Sequence, residues 1–348
     1  MKKSLIATFV LLTVISCSKN DDDTIPPVDE KQTEVYTAGY IEVPNGPTTM
    51  QKATIWKNGV AQQLSSTESF ASKVLLVGND IYTVGRELEG SKSVAKLWKN
   101  GIATNPINST KNTEAMTLAL AAGGDTYILI REWNNSGSEY KVLKNGTPIV
   151  LSPPNNNNIY QLLDVFVAGN DVYVAGTVKE FGFNITKATL WKNGSPVFLP
   201  SVIANAQNAA NKVFVSGNDV YVLGTEDNLS QTGIVLWKNG NSTRITEDSQ
   251  DASGSSIFVS GNDVYITGSR YDPTTFTPVT TLWKNGTPIF NKNVNDTFFT
   301  SVFVLNNNVY MAGRGYLNNS LAYLWKNGVL ETPTIENANF NSVFVIEK

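Results

Sequence analysis

The chain repeats itself. Trp-Lys-Asn-Gly stands at residues 56–59, 98–101, 191–194, 237–240, 283–286 and 325–328, and Leu-Lys-Asn-Gly falls in phase with them at 143–146. The copies are spaced 42 to 48 residues apart. A period of that length decides the architecture before any local reading does, because one such unit cannot bury a core alone and must stack on its neighbours. A second motif keeps the same phase: GNDIYTVG at 78–85, GGDTYILI at 123–130, GNDVYVAG at 169–176, GNDVYVLG at 217–224, GNDVYITG at 261–268 and NNNVYMAG at 306–313.

Each unit reads as four short strands. Strand a is a run such as Val213-Phe214-Val215, and Gly-Asn-Asp turns it into strand b, here Val220-Tyr221-Val222-Leu223. Strand c carries Leu-Trp-Lys, and Asn-Gly turns it into strand d. Asn-Gly is the preferred pair for a two-residue type I′ turn, which needs positive φ at both central positions. Strands a and b are apolar at successive positions, which predicts burial on both faces of each sheet. Strand d takes Pro148, Pro196 and Pro288, and proline belongs on an edge. Small sheets covered on both faces, with one tolerant outer edge, stack around an axis as a β-propeller. The chain enters the repeats on a strand b, Val35-Tyr36-Thr37-Ala38-Gly39, and leaves them on an orphan strand a, Ser342-Val343-Phe344-Val345. Pairing the two completes one more blade. The expectation is therefore an all-β fold over residues 35–348: a seven-bladed β-propeller of four-stranded antiparallel blades, closed by its N- and C-terminal strands.

These repeats resemble the seven-bladed propeller superfamily that includes the kelch and WD-repeat groups, although the Gly-His…Trp-Asp signature and the paired kelch glycines are missing. They are more similar to surface lipoproteins of the Bacteroidetes with WKNG repeats. That resemblance covers the whole chain and implies no particular activity. The N-terminus agrees with it. Lys2 and Lys3 precede an apolar run from Leu5 to Ile15, too short to span a bilayer and of the length of an export-signal core. Val14-Ile15-Ser16-Cys17 resembles the lipobox of bacterial lipoproteins, which implies a signal peptide over 1–16 and diacylglycerol on Cys17. Cys17 is the only cysteine, so no intrachain disulfide forms. Residues 17–34 are polar, acidic and proline-containing, and they read as a flexible tether. The cluster Asp21-Asp22-Asp23 resembles the surface-export signal of Bacteroidetes lipoproteins, implying an outer-membrane lipoprotein that faces the exterior. Asp23-Thr24-Ile25 resembles the O-glycosylation sequon of the same phylum.

Composition removes several functions. Net charge is −3, against the concentrated basic face that nucleic-acid binding needs. Histidine is absent, which excludes Ser-His-Asp and Cys-His catalysis, histidine zinc sites and histidine pH switches. No cofactor and no metal is expected. The repeated Asp80, Asp125, Asp171, Asp219 and Asp263 offer one carboxylate per turn, too few for calcium, and read as groups bonding the turn backbone. The motif tryptophans read as inter-blade packing, and the motif lysines as solvated flanks.

In an antiparallel meander the stereotyped turns share one end of every blade and the variable loops share the other, where function is sought. The residue placed after strand b is Tyr40, Arg86, Arg131, Thr177, Thr225, Ser269 and Arg314 in turn, so Arg314, Tyr40, Arg86 and Arg131 should line one arc. Trp133, Phe181, Phe183, Arg270, Tyr271, Phe276 and Tyr316 lie on the same loops. Arginine with aromatics suits recognition of carbohydrate or anionic groups. At the inner mouth the residue entering strand a reads Ser342, Lys73, Leu118, Asp164, Lys212, Ser256 and Ser301, with Lys73, Asp164 and Lys212 as channel-mouth candidates. Two classes of function fit. One is a lipid-anchored module that binds a glycan or a partner protein. The other is a histidine-independent carbohydrate-active enzyme, a carboxylate glycosidase or a lyase, drawing on Glu87, Glu132, Glu180, Glu226, Asp227 or Asp272. Spacing singles out no pair.

Overall fold

The computed structural model describes residues 32–153, 159–179, 185–227, 231–246, 251–272, 274–275, 277–293, 297–315, 320–331 and 335–348. Cys17, the signal peptide, most of the tether, and the loop positions 180–184, Phe276 and Tyr316 lie outside them.

Seven antiparallel sheets form, each with strands a to d in sequential order. The ring is a seven-bladed β-propeller. Blade 1 joins the two ends of the chain: its strand a is Ala338–Glu347 and its strand b is Thr33–Asn45, paired from Thr33↔Glu347 to Ile41↔Ala338. Strand b therefore opens at Thr33, two residues inside the stretch assigned to the tether. Strands a of blades 2 to 7 are Ser69–Val77, Asn112–Leu120, Ile159–Ala168, Gln207–Ser216, Ala252–Ser260 and Phe298–Leu305. The three prolines sit on outermost strands, as expected. Blade 7 adds a two-residue strand, Ile335–Glu336, beside its strand c.

The turns follow backbone chemistry. Every Lys-Asn-Gly turn has positive φ at both central residues, for example Asn193 at 50° and Gly194 at 85°, the type I′ signature. In the Gly-Asn-Asp turns only the glycine is positive, as at Gly169 with φ 58°, which is type II′. The two turns of a blade then clasp each other. In blade 4, Asn193 Oδ1 accepts from Val172 N at 2.8 Å and Asn193 Nδ2 donates to Asp171 at 2.6 Å. Lys192 pairs with Asp171 at 2.8 Å and lies 5.4 Å from the centroid of the Tyr173 ring. The motif aspartate thus bonds the asparagine and lysine of the other hairpin, and the motif lysine is a partnered group, which corrects both sequence readings. The motif tryptophans do pack between blades. Trp191 is fully buried against Ala119, Tyr127 and Leu129 of blade 3, and its indole N–H donates to Ser152 O at 2.9 Å.

One irregularity recurs in every blade: a β-bulge in strand a, between Leu162 and Asp164 in blade 4 and at the same register in the other six. It explains the glycine that ends the second motif. A Cβ on Gly176 would lie 2.2 Å from Gln161 O, and one on Gly85 would lie 2.0 Å from Phe70 O. The carbonyl displaced by the bulge fills the space a side chain would need.

Candidate functional site

The inner strands enclose a central channel of about 410 Å³ lined by all seven strands a, within the size range of small-molecule sites. Its chemistry is layered by the period-2 alternation of each strand. Toward the clasped turns lies an apolar layer, where Phe166, Phe214, Phe258, Phe303 and Phe344 make a chain of contacts with centroids 4.6 to 5.0 Å apart. Leu75 and Ala119 hold the equivalent positions in blades 2 and 3.

Two residues earlier, immediately after the bulge, comes a polar layer: Lys73, Thr117, Asp164, Lys212, Ser256, Ser301 and Ser342. Their shared place is set by register, since each pairs with the strand b residue just before the motif glycine or its equivalent, as in Asp164↔Ala175, Ser256↔Thr267 and Thr117↔Leu129. The blade 3 member is therefore Thr117. Leu118, placed there from sequence, is fully buried between blades. The displacement arises because blade 3 has one extra residue in its a–b turn. A polar residue directly before the apolar triplet is common to all seven blades, and that signal would have found Thr117.

Most of this layer knits neighbouring blades together. Ser256 Oγ accepts from Val302 N at 3.2 Å, Ser301 Oγ from Val343 N at 3.2 Å, and Ser342 Oγ from Val74 N at 3.4 Å. Asp164 does the same with Val213 N at 3.1 Å, and its other oxygen accepts from Thr117 Oγ1 at 3.2 Å. A lysine cannot accept a hydrogen bond, so Lys73 and Lys212 cannot play this part. Neither ammonium has an ion pair or hydrogen bond among the described residues. Burial pushes the Lys73 ammonium below the ordinary lysine value; Asp164 pulls it partly back and Lys212 pushes it down further. Among the described residues the channel therefore holds two lysines without a direct hydrogen-bond or ion-pair partner and one carboxylate whose oxygens are both engaged.

On the variable face, strand b runs well past the motif glycine, to Glu89 in blade 2 and Lys179 in blade 4. Tyr40, Arg86, Arg131 and Arg314 therefore stand on strands, where they were expected in loops. Each is held within its own blade. The Arg86 guanidinium lies 4.8 Å from the Phe70 ring centroid and that of Arg314 5.7 Å from Phe298. Arg131 stacks 5.1 Å from the half-buried Trp133 and approaches Glu114 at 3.6 Å, while Tyr40 receives a hydrogen bond from Asn339. A shallow cavity beside Gln51 and Glu68 contains Arg86 and none of the other three. Arg270 is nearly buried, with Nη1 donating to Tyr271 O at 3.4 Å and Nη2 4.0 Å from Asp272; Tyr271 is exposed.

Four of the candidate acidic residues of this face, Glu226, Glu132, Glu87 and Asp272, are structural anchors. Glu226 is fully buried, accepts from Val202 N and Ile203 N at 2.7 and 3.1 Å, and lies 3.5 Å from Arg244. Glu132 pairs with Lys141. Glu87 accepts from Ser65 and Thr67, both at 2.8 Å, and Asp272 caps the backbone of Thr274 and Thr275. Glu180 lies outside the described residues.

A closed ring of seven four-stranded blades around a polar-lined channel defines the chain as a β-propeller protein. No protein-family model and no curated protein matches it. Among solved structures it is similar to the β-propeller domain of the Trilobed protease from Pyrococcus furiosus, at 10% identity and a TM-score of 0.54 over 88% of this chain and 93% of that one. That domain has an open velcro topology, whereas here the terminal strands pair. The chain is also similar to the acylaminoacyl peptidase of Pyrococcus horikoshii, at 11% identity and a TM-score of 0.55, covering 86% of this chain and half of the peptidase. At such identities the likeness is one of fold.

Proposed function

We propose that this protein is a lipid-anchored propeller of the outer membrane, facing the exterior, whose work is to bind a ligand in the central channel. The observation that carries the reading is the contrast in partnering: the carboxylates described above on the variable face are tied to structural donors, while Lys73 and Lys212 in the channel have none. A half-buried charge without a partner, as at Lys73 and Lys212, is costly to the fold, and such groups concentrate where a ligand supplies the missing interaction. The anchored carboxylates offer no poised acid and base, so binding is favoured over glycoside hydrolysis. The anchor rests on the lipobox-like tetrad ending in Cys17, and the outward orientation on the acidic tether. A glycan or a partner protein on the variable face stays compatible with a channel ligand, with Arg86, Arg131 and Tyr271 as its contacts.

Two measurements test the reading. Protease treatment of intact cells should remove the protein from wild-type cells. In a screen of small glycans and metabolites by thermal shift, a ligand at a hundred times its Kd adds about 2.7 kcal/mol of stability. That shift should be lost in Ser301→Phe, which fills the channel. A ligand that shifts Ser301→Phe as much as wild type would place binding elsewhere.

A further inference from the structure

We infer that the channel is an anion site: it takes the carboxylate, sulfate or phosphate group of a small molecule between Lys73 and Lys212, against the hydroxyl arc of Ser256, Ser301 and Ser342. The inference rests on the channel being the binding site and names the chemistry of what enters it.

Three observations converge. First, Lys73 in blade 2 and Lys212 in blade 5 stand on opposite sides of a seven-membered ring. The serines of blades 6, 7 and 1 fill the interval between them on one side. Second, those serines already accept a backbone N–H from the next blade. The accepted bond occupies one of the two lone pairs of Oγ and leaves the hydroxyl hydrogen to donate, so each serine of this arc has a donor for an oxyanion. Third, the one carboxylate in the lining, Asp164, has both oxygens engaged by Thr117 and Val213 N. Among the described residues, Lys73, Asp164 and Lys212 are the only charged residues of the lining, two positive against one negative. Ammonium and hydroxyl donors that line one partly desolvated channel supply the charge-assisted hydrogen bonds an oxyanion takes. The phenyl layer beneath supplies an apolar floor for the body of the molecule, a sugar ring or a short carbon skeleton.

The depressed titration of Lys73 bears on how such a ligand is held. A bound anion favours the charged ammonium and draws its pKa back up, so affinity falls as pH rises through a range where an ordinary lysine would still be fully protonated.

The test compares D-galacturonate with D-galactose, and inorganic sulfate with phosphate, by calorimetry on the full propeller. Channel occupancy is followed by NMR of the lysine side chains. Galacturonate should bind at least ten-fold tighter than galactose, Lys73→Met and Lys212→Met should each weaken it ten-fold or more, and both variants should melt at or above the wild-type temperature, since each removes a half-buried charge that has no hydrogen-bond or ion-pair partner among the described residues. Tighter binding of sulfate or phosphate than of galacturonate would identify the ligand as a free oxyanion and still support the site. Equal binding of galactose and galacturonate in the channel, unchanged in both variants, overturns the anion inference and leaves channel binding standing. No perturbation of the channel by any of the four probes overturns both. A melting temperature lowered in both variants would show that the lysines are structural and overturn the assignment.

Discussion

At the scale of single residues, Gly176 shows how a missing methyl group sets the path of a strand. The carbonyl of Gln161 stands where a Cβ would be, 2.2 Å from its ideal position, and the neighbours that would have to yield are backbone. Gly176→Ala should therefore destabilise the fold by about 2–4 kcal/mol, as changes that force strained backbone or overpacking do, read as a lower urea midpoint with unchanged slope. An unchanged midpoint would mean that the bulge relaxes freely. Blade 3 bulges at the same register with Ile130 in that position, so glycine permits the close carbonyl approach and does not by itself create the bulge. The motif glycine was visible in the sequence, but its reason was not, because the displaced carbonyl comes from a different strand.

At the scale of the element, each blade end is a clasp of two hairpins. The Asp80, Asp125, Asp171, Asp219 and Asp263 carboxyls are held below the ordinary aspartate value, chiefly by hydrogen bonds from the motif lysine and asparagine. Their lysine partners are raised above the ordinary lysine value by the same bonds. The aspartate contribution is present above its unfolded pKa and is lost as pH falls through the lower folded value; the lysine contribution is present below its unfolded pKa and is lost as pH rises through the higher folded one. Melting temperature should thus form a plateau across neutral pH and fall on both sides. Carboxyl titrations of these five aspartates should have midpoints below 3.8. Midpoints at or above that value would remove the clasp. These groups are exposed and screened, so each clasp contributes modestly. The turn types were legible because Asn-Gly and Gly-Asn restrict φ locally, but the clasp was not, because its partners sit some twenty residues apart and meet only once strands b and c are in register.

At the scale of the whole molecule, closure depends on one strand from the far end of the chain. Ser342–Lys348 supply most of the pairing between the two terminal strands, the phenyl of Phe344 in the channel floor and the Ser342 acceptor for Val74 N. Deleting those seven residues should abolish the cooperative thermal transition, followed by circular dichroism. A truncated chain that melts like the intact one would show that six blades close without the seventh.

The blade count, the turn chemistry, the outer proline-bearing edge and the joining of the termini were all determined by the sequence alone, because each rests on a local preference or on the period of the repeat. The content of the channel was decided only by the tertiary structure. Lys73, Thr117, Asp164 and Lys212 come from four blades and lie up to 139 positions apart, and only the ring brings them together. The a–b turn of blade 3 is one residue longer than that of blade 4, so counting back from the second motif misplaced the member in blade 3. Trp-Lys-Asn-Gly, the feature most visible in the sequence, turned out to hold the blades, while the polar residue before each apolar triplet lines the central channel.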